Sequence, residues 1–343
     1  MINVLACTSG KNVPSSRFRV RQHILPLKKE GINVTEDFTR NEKLDNPPQL
    51  LWKFLPRLGL NTIESWNKIR IPLRSPVRLL SNFFDIVWLE RFLINGTLSY
   101  ELKIKKPVVF DMDDAIWLNG GNDTYKIAGH SAMIFAGNNF LAEWCRQYNK
   151  NVHVIPTAVN IDPSSKVYMP GTRKEKVIGW IGTSSNFPNF AAILKPLATV
   201  LKNKNISLLI CADKDPEFKE FDYNFMLWSP AREKIFFEGI DLGIMPLLDT
   251  EWNRGKCSYK MLQYLGNGIP ALVSPVGMNK EISDQLGIDI TAADADEWLY
   301  KATTTLSDLD IANNISIRGK HLIQEKYSTD VISQKIANLF KTI

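Results

Sequence analysis

Three carboxylates follow an apolar stretch in the sequence Val108-Val-Phe-Asp-Met-Asp-Asp114. Side chains at the end of a buried parallel strand face the ligand-binding edge of an α/β sheet. Three kinds of chemistry suit this group. Asp111 and Asp113 have the spacing of a Mg²⁺ site, since hard cations prefer carboxylate oxygens. The same pair suits an Asp-x-Asp phosphotransferase or phosphatase, and a carboxylate of this group also suits a general base or a group that binds a substrate hydroxyl.

Three cations surround a predicted helix start in Arg254-Gly-Lys256-Cys-Ser-Tyr-Lys260. A helix N-terminus repels cations, so this arrangement favours a bound anion such as a diphosphate. Gly182 and Thr183 follow another apolar strand, where backbone N–H groups can approach a phosphate. We therefore predict that Arg254, Lys256 and Lys260 bind phosphates together with this second turn.

Two further basic regions lie in the first half of the chain. Arg17 and Arg21 are one helical turn apart after the first strand, a spacing that suits clamping of an acceptor or a phosphate. The stretch Leu50–Phe84, here called the basic apolar segment, contains six Lys or Arg, one acidic residue (Glu64) and many large apolar side chains. It predicts either contact with an anionic membrane surface or an apolar side packed on the sheet, and the sequence favours neither.

The elements that must position these residues alternate between strands and helices. Strands are expected at 2–7, 33–35, 84–89, 108–110, 132–136 and 152–155, with a helix capped by Ser15 or Ser16 after the first. Pro156–Pro170 has the composition of a linker. The alternation restarts with strands at 177–181, 207–211, 241–245 and 271–274. This pattern predicts two doubly wound α/β domains with a cleft between them.

Composition and charge narrow the class of protein. The chain has 343 residues, a length that suits two domains, and its net charge is +6. Residues 1–160 hold 21 Lys and Arg against 14 Asp and Glu, so the positive excess lies in the first half and indicates an anionic partner there. Four scattered cysteines suit neither a zinc site nor a disulfide framework. We expect a cytoplasmic protein without a signal peptide, a membrane-spanning helix or a nucleic-acid partner.

Five stretches, in order, resemble the retaining GT-B-fold glycosyltransferases of family 4, also called group 1 glycosyltransferases. They are Phe135-Ala-Gly-Asn-Asn-Phe-Leu141, His153-Val-Ile-Pro-Thr-Ala-Val-Asn160, Ile178-Gly-Trp-Ile-Gly-Thr183, Asp241-Leu-Gly-Ile-Met-Pro-Leu247 and the block Leu262–Ser274. The pattern Arg-Gly-Lys-Cys-x-x-Lys-x-Leu-Gln, which ends at Gln263, is similar to a subgroup that makes surface polysaccharides.

The sequence departs from this family at its phosphate and acidic positions. Two glutamates separated by seven residues are usual there, and Gly255 and Gln263 stand in their places. The family's cations after the first strand of the second domain are also missing, so Lys256 with Arg254 or Lys260 is the predicted substitute. The family's histidine after an N-terminal-domain strand falls on Asp113 or Asp114.

The resemblance implies a GT-B enzyme that moves a sugar from a nucleotide-diphosphate sugar to a glycan or lipid-linked acceptor without a metal. Residues 1–160 would bind the acceptor through Arg17 and Arg21, with the last helix, at about 328–343, packed back on them. Residues 161–327 would bind the donor through Gly182, Thr183, Arg254, Lys260 and Gln263, and the predicted catalytic residues are Asp113, Asp114 and Lys256. Peripheral binding to the inner face of the membrane is an accompanying expectation.

Two alternatives to this enzyme remain open. The missing glutamate allows a non-catalytic nucleotide- or polyanion-binding protein of the same fold. The strand at Asp111 superficially resembles that of haloacid-dehalogenase-type phosphatases, although Ala115 stands where those enzymes usually have Thr.

Overall fold

The computed structural model describes residues 1–11, 13–38, 47–94, 97–118, 123–161, 174–203 and 205–343. The chain divides into two compact units. Unit 1 comprises Met1–Ala158, Gly255–Cys257 and Thr329–Ile343, and unit 2 comprises Val159–Arg254 and Ser258–Ser328. Most of the predicted linker, at 162–170, lies outside the described residues.

Unit 1 is built on a parallel sheet of six strands in the order β2-β1-β3-β4-β5-β6. The strands are β1 (Ile2–Thr8), β2 (Ile32–Phe38), β3 (Ile86–Glu90), β4 (Val108–Met112), β5 (Met133–Ala136) and β6 (Val152–Val154). Alternate residues of a strand enter separate cores, with Trp88 and Val109 in one and Val87 and Phe110 in the other. This burial on both faces explains why the strands are continuously apolar.

Unit 2 is built on a second parallel sheet, of five strands in the order β11-β10-β7-β8-β9. The strands are β7 (Lys176–Gly182), β8 (Ile206–Ala212), β9 (Asn224–Leu227), β10 (Leu242–Met245) and β11 (Ala271–Val273). Together, the two separate parallel sheets confirm the predicted α/β class.

The α-helices connect and cover these strands. They are α1 (Pro14–Ser16), α2 (Gln22–Lys29), α3 (Gln49–Phe54), α4 (Thr62–Arg70), α5 (Ser75–Leu80), α6 (Thr124–His130), α7 (Asn139–Arg146), α8 (Leu194–Val200), α9 (Pro230–Gly239), α10 (Glu251–Arg254), α11 (Tyr259–Gly266), α12 (Met278–Leu286), α13 (Ala295–Ser307), α14 (Leu309–Lys326) and α15 (Thr329–Phe340). The C-terminal α15 belongs to unit 1, where Phe340 packs against Trp88 and Phe135.

Two helical regions differ from the sequence prediction. The first helix begins at Pro14, not at a Ser15 or Ser16 cap, and its backbone widens into a π-helical turn at Arg17–Arg21. Ser16 is instead a buried hydrogen-bond donor within unit 1. After β7 the chain forms a 3₁₀ helix, Ser184–Ala192, before α8 begins. Pro188, inside that helix, lacks the N–H that an α-helix would need there.

Candidate functional site

The carboxyl edge of the unit 1 sheet gathers polar side chains from β1, β3 and β4. Glu90, the last residue of β3, is fully buried and accepts hydrogen bonds from Ser9 N (2.8 Å) and Ser16 Oγ (2.9 Å). Its Oε1 has no hydrogen-bond partner among the described residues. Glu90 therefore fixes the turn after β1 through one oxygen, and its other oxygen lies 3.8 Å from Arg91 Nε.

A buried ion pair joins the first helical region to β4. Arg19 Nε and Nη2 donate to Asp111 Oδ1 at 2.9 and 2.7 Å, and Trp88 Nε1 donates to Asp111 Oδ2 at 3.0 Å. Arg19 Nη1 donates to Ile155 O at 2.8 Å. Burial raises the pKa of Asp111 to about 6, an effect that Arg19 partly opposes. The pair connects three elements across the sheet edge.

Of the three carboxylates at the end of β4, Asp113 and Asp114 bind a different arginine from Asp111. Arg91 donates to Asp113 Oδ1 and to Asp114 Oδ2. Burial alone would lower the pKa of Arg91, but Asp113 and Asp114 together raise it. Arg91 adopts a left-handed conformation at φ 60°, which is costly for a residue with a Cβ. The structure thus holds Asp113 and Asp114 together on one shared guanidinium.

The Gly255–Cys257 stretch lies in unit 1, beside the ends of β4 and β5. A Cβ at Gly255 would come within 2.8 Å of Ala115 N, so the backbone can approach there only as glycine. Lys256 O accepts a hydrogen bond from Asn138 Nδ2 at 3.0 Å, and Cys257 Sγ donates to Asp113 O at 3.1 Å. The stretch thus brings Lys256 to the edge that carries Asp113.

Two predicted donor-site residues of unit 2 are in contact. A Cβ at Gly182, the last residue of β7, would lie 2.3 Å from Lys260 Cε and 2.8 Å from the Trp180 ring. Lys260 Nζ lies 5.4 Å from the centre of that ring, in a cation–π geometry. Glycine at 182 therefore makes room for the lysine that the sequence assigns to the phosphates.

Several polar groups of the turn after β7 are already hydrogen-bonded within unit 2. Thr183 Oγ1 lies 2.9 Å from Ser185 Oγ and accepts from Asn186 Nδ2 at 2.9 Å. Ser184 N and Oγ both donate to the carboxylate of Asp213, at 2.6 and 2.9 Å. The Ser184 N–H is therefore already hydrogen-bonded, so it is not available to bind a phosphate in this turn.

The start of α11 combines an unusual backbone with a buried hydroxyl. Ser258 has φ 51° and is 2% exposed, and its Oγ has no hydrogen-bond partner among the described residues. In the same unit, Arg254 makes a two-armed ion pair with Asp249 at 2.7 and 2.9 Å. Asp249 therefore supplies an anion for Arg254. Arg254 does not need a bound phosphate to balance its charge, in contrast to what the sequence suggested for all three cations.

Gln263 is paired with a carboxylate that the sequence analysis missed. Its Nε2 donates to Glu233 Oε1 at 2.7 Å, and both side chains are buried. Glu233 comes from the start of α9, a different helix of unit 2. The structure thus supplies an acidic group beside Gln263 although the residue at 263 itself is an amide.

The two arginines predicted to contact an acceptor behave differently. Arg17 is exposed, and its guanidinium carbon lies 4.8 Å from the centre of the Phe18 ring. Arg21 donates to Glu36 at 2.8 Å, to Lys11 O at 2.6 Å and to Gly10 O. Arg21 therefore holds the turn after β1, which leaves Arg17 the more accessible of the two predicted acceptor contacts.

Comparisons with known proteins identify the fold. No protein-family profile matches the chain, and no curated protein matches it by sequence. Among solved structures, HepE of Anabaena in complex with UDP and glucose superposes with a TM-score of 0.70 at 12% identity, over 100% of both chains. An α,α-trehalose-phosphate synthase (UDP-forming) of Burkholderia vietnamiensis gives 0.67 at 10% identity, over 100% of this chain and 99% of that one. Sucrose-phosphate synthase of Thermosynechococcus elongatus gives 0.65 at 10%, over 100% and 99%.

The fold is therefore that of the GT-B glycosyltransferases, as predicted. Family 4 membership and a central cleft stay predictions.

Four residues that shape the site were missed by the sequence analysis: Arg19, Glu90, Arg91 and Glu233. Glu90 had a local signal, since it is the acidic residue that ends the apolar strand Ile-Val-Trp-Leu-Glu. Arg19 lies between the two arginines that were chosen. Glu233 carried no signal, because only the packing of α9 on α11 places it beside Gln263.

Proposed function

We propose that this protein is a nucleotide-sugar-dependent glycosyltransferase. The observation that carries the proposal is the superposition of the whole chain on the whole of HepE, a structure that contains UDP and glucose. A second HepE structure contains UDP-glucose, and it also aligns over 100% of both chains. A uridine diphosphate sugar is accordingly the first donor class to test.

Unit 2 binds the donor in this proposal. Lys260, packed beside Gly182, supplies positive charge for the diphosphate. The free Oγ of Ser258 and the first N–H groups of α11 add hydrogen-bond donors. Gln263 and Glu233 form an amide–carboxylate pair that suits the adjacent hydroxyls of a ribose. Thr183 is a weaker candidate for donor binding than these residues, because its hydroxyl is already hydrogen-bonded within its own turn.

Unit 1 binds the acceptor and carries the proposed catalytic groups Asp113, Asp114 and Lys256. The departing diphosphate must be stabilised, and a fixed lysine does this without a metal. Asp113 and Asp114, held in place by Arg91, accept hydrogen bonds from an acceptor hydroxyl in this proposal. A retaining outcome follows from the resemblance to family 4, and an acceptor of surface polysaccharide synthesis follows from the subgroup pattern that ends at Gln263.

Incubation with UDP-glucose, other UDP-sugars and GDP-sugars tests the proposal. An enzyme releases the nucleoside diphosphate slowly even without an acceptor, whereas a non-catalytic binding protein of the same fold binds but releases none. Binding of UDP without turnover of any donor would favour that alternative. Release of phosphate from phosphomonoesters would favour the Asp-x-Asp phosphatase instead.

A further inference from the structure

The basic apolar segment exposes its apolar side chains instead of packing them on the sheet. The described part of the chain has 26 exposed large apolar residues, and ten fall in this segment of 35 residues. Each of the ten is at least 43% exposed. They are Leu50, Trp52, Phe54, Leu58, Leu60, Ile63, Ile69, Leu79, Leu80 and Phe83. A concentration of this kind marks a surface that is covered by something in function.

The segment is attached to unit 1 by only part of its length. It forms α3, α4 and α5 with short 3₁₀ turns between them. Of its side chains whose burial the structure describes, Thr62, Arg70, Val77 and Ser81 are buried. Leu50 and Phe54 are one turn apart on α3, and Leu79 and Phe83 are equally spaced at the other end of the segment. Of the two alternatives left by the sequence, packing on the sheet accounts for few of the apolar groups.

The positive charge of the segment limits which partner can cover its exposed apolar side chains. Lys53, Arg57, Lys68 and Arg78 are exposed, and Glu64 is the segment's one acidic residue, already paired with Lys68 at 2.7 Å. A second copy of the same surface would bring like charges together, which disfavours self-association. A nucleic acid would satisfy the cations but leave Phe83, 82% exposed, and Leu79, 67% exposed, in water. An anionic lipid bilayer satisfies both kinds of group.

We propose that the basic apolar segment binds peripherally to an anionic phospholipid membrane. The exposed cations lie at the headgroups, and the exposed Leu, Phe and Trp side chains enter the interface between headgroups and acyl chains. None of the helices in the described part of the chain has the length and apolar character of a membrane span. The proposal is independent of donor turnover and goes beyond the proposed function.

Vesicle co-sedimentation tests the surface directly. The full chain is mixed with vesicles of phosphatidylcholine alone or of phosphatidylcholine and phosphatidylglycerol at 3:1, in low and in high salt. We expect binding to the anionic vesicles that weakens as salt rises. Each neutralised cation weakens binding about fivefold, so Lys53→Glu/Arg57→Glu/Arg78→Glu loses at least about 100-fold. Leu79→Ser/Phe83→Ser also weakens binding, because it removes inserted apolar area.

Matched variants on unit 2 control for net charge and for surface hydrophobicity. Lys214→Glu/Lys219→Glu/Lys234→Glu makes the same change in charge at exposed positions, and Ile235→Ser/Ile317→Ser removes comparably exposed apolar groups. Both should bind vesicles like the wild type. Equal binding to neutral and anionic vesicles would overturn the proposal. A dimer in light scattering that Leu79→Ser/Phe83→Ser abolishes, without any vesicle binding, would assign the surface to a second copy instead.

Discussion

Arg19 and Asp111 form a buried ion pair at the carboxyl edge of the unit 1 sheet, with Arg19 Nη2 2.7 Å from Asp111 Oδ1. Both side chains are at most 2% exposed. Trp88 also donates to Asp111, and Arg19 also donates to Ile155 and Thr157, so each charged group has several partners. A burial this complete is tolerated only where the charges are paired and hydrogen-bonded. The pair thus fixes the π-helical turn against β4.

Removing one partner of this pair should destabilise unit 1 strongly. Arg19→Met leaves the Asp111 carboxylate buried without its cation, and we expect a loss of about 3–5 kcal/mol in the free energy of unfolding. The double variant Arg19→Met/Asp111→Leu should recover much of that loss, because no unpaired charge remains. Urea denaturation followed by circular dichroism measures both. Additive losses in the double variant would show that the two side chains act independently.

The inner strands of both sheets could be predicted from the sequence because they are short, mainly apolar stretches with two buried faces. Phe84–Leu89 illustrates this, since every residue there except Asp85 belongs to a core or packs against one. Strand β9 was missed, because Asn224–Leu227 is a partly exposed edge strand without that pattern. The 3₁₀ helix after β7 was also missed, since Pro188 permits it but apolar spacing does not reveal it.

The site was less predictable than the fold because its geometry depends on long-range packing. The spacing of Arg17 and Arg21 predicted that both contact an acceptor or a phosphate. The buried Arg19 between them was not predicted to have a role. Gly255 appeared as the loss of a glutamate, and the structure shows that Ala115 leaves no room for a side chain there. Partners such as Arg91 and Asp213 are separated from the motifs they contact by many residues, so no local pattern contains them.

Acid should weaken the attachment of α15 through His23. His23 is buried beside Ser333 of α15, with 2.7 Å between Nδ1 and Oγ, and burial together with nearby Arg19 lowers its pKa to about 3. The unfolded chain therefore binds more protons than the folded one between about pH 6.5 and 3. Stability is full above that range and falls as pH decreases through it, by up to about 1.4 kcal/mol per pH unit.

Urea denaturation and amide exchange of α15 at several pH values measure this loss. His23→Gln lacks the titrating ring, so its stability should depend less on pH over the same range even if its stability at pH 7 is lower. His130→Gln, at an exposed position, should follow the wild type. A wild-type profile that matches His23→Gln throughout would contradict the assignment.

Lys256 and Arg254 should differ in their importance for turnover. Arg254 is half exposed and already paired with Asp249, so Arg254→Ala should change turnover only a few-fold. Lys256→Ala removes the cation proposed to stabilise the departing diphosphate, and we expect a loss of about 10²–10³ in kcat. Lys256→Arg should recover only part, since the guanidinium is larger and planar. Steady-state rates with the best donor measure both effects. Near-normal turnover in Lys256→Ala would show that Lys256 does not stabilise the departing diphosphate.

Glu233 should take over the ribose-binding role that a carboxylate at position 263 would otherwise have. The Gln263 amide lies 2.7 Å from Glu233 Oε1, so a hydroxyl bound to one is close to the other. Hydrogen bonds to a charged acceptor contribute about 1.5–3 kcal/mol, which corresponds to a loss of about 10-fold or more in UDP affinity for Glu233→Gln. Isothermal titration calorimetry with UDP measures this loss. Glu238→Gln, on the same helix but exposed, should leave UDP binding unchanged.

The use of 2′,3′-dideoxy-UDP separates a ribose contact from a general weakening of the site. The wild type should bind this analogue about 10-fold or more weakly than UDP, whereas Glu233→Gln should distinguish the two less, because the charged acceptor of the hydroxyls has become a neutral amide. Gln263→Glu places a second carboxylate beside Glu233, where the two charges repel, so it should weaken UDP binding and not restore a family-like site. A wild type that does not distinguish UDP from the dideoxy analogue would show that Glu233 and Gln263 serve only to hold α9 against α11.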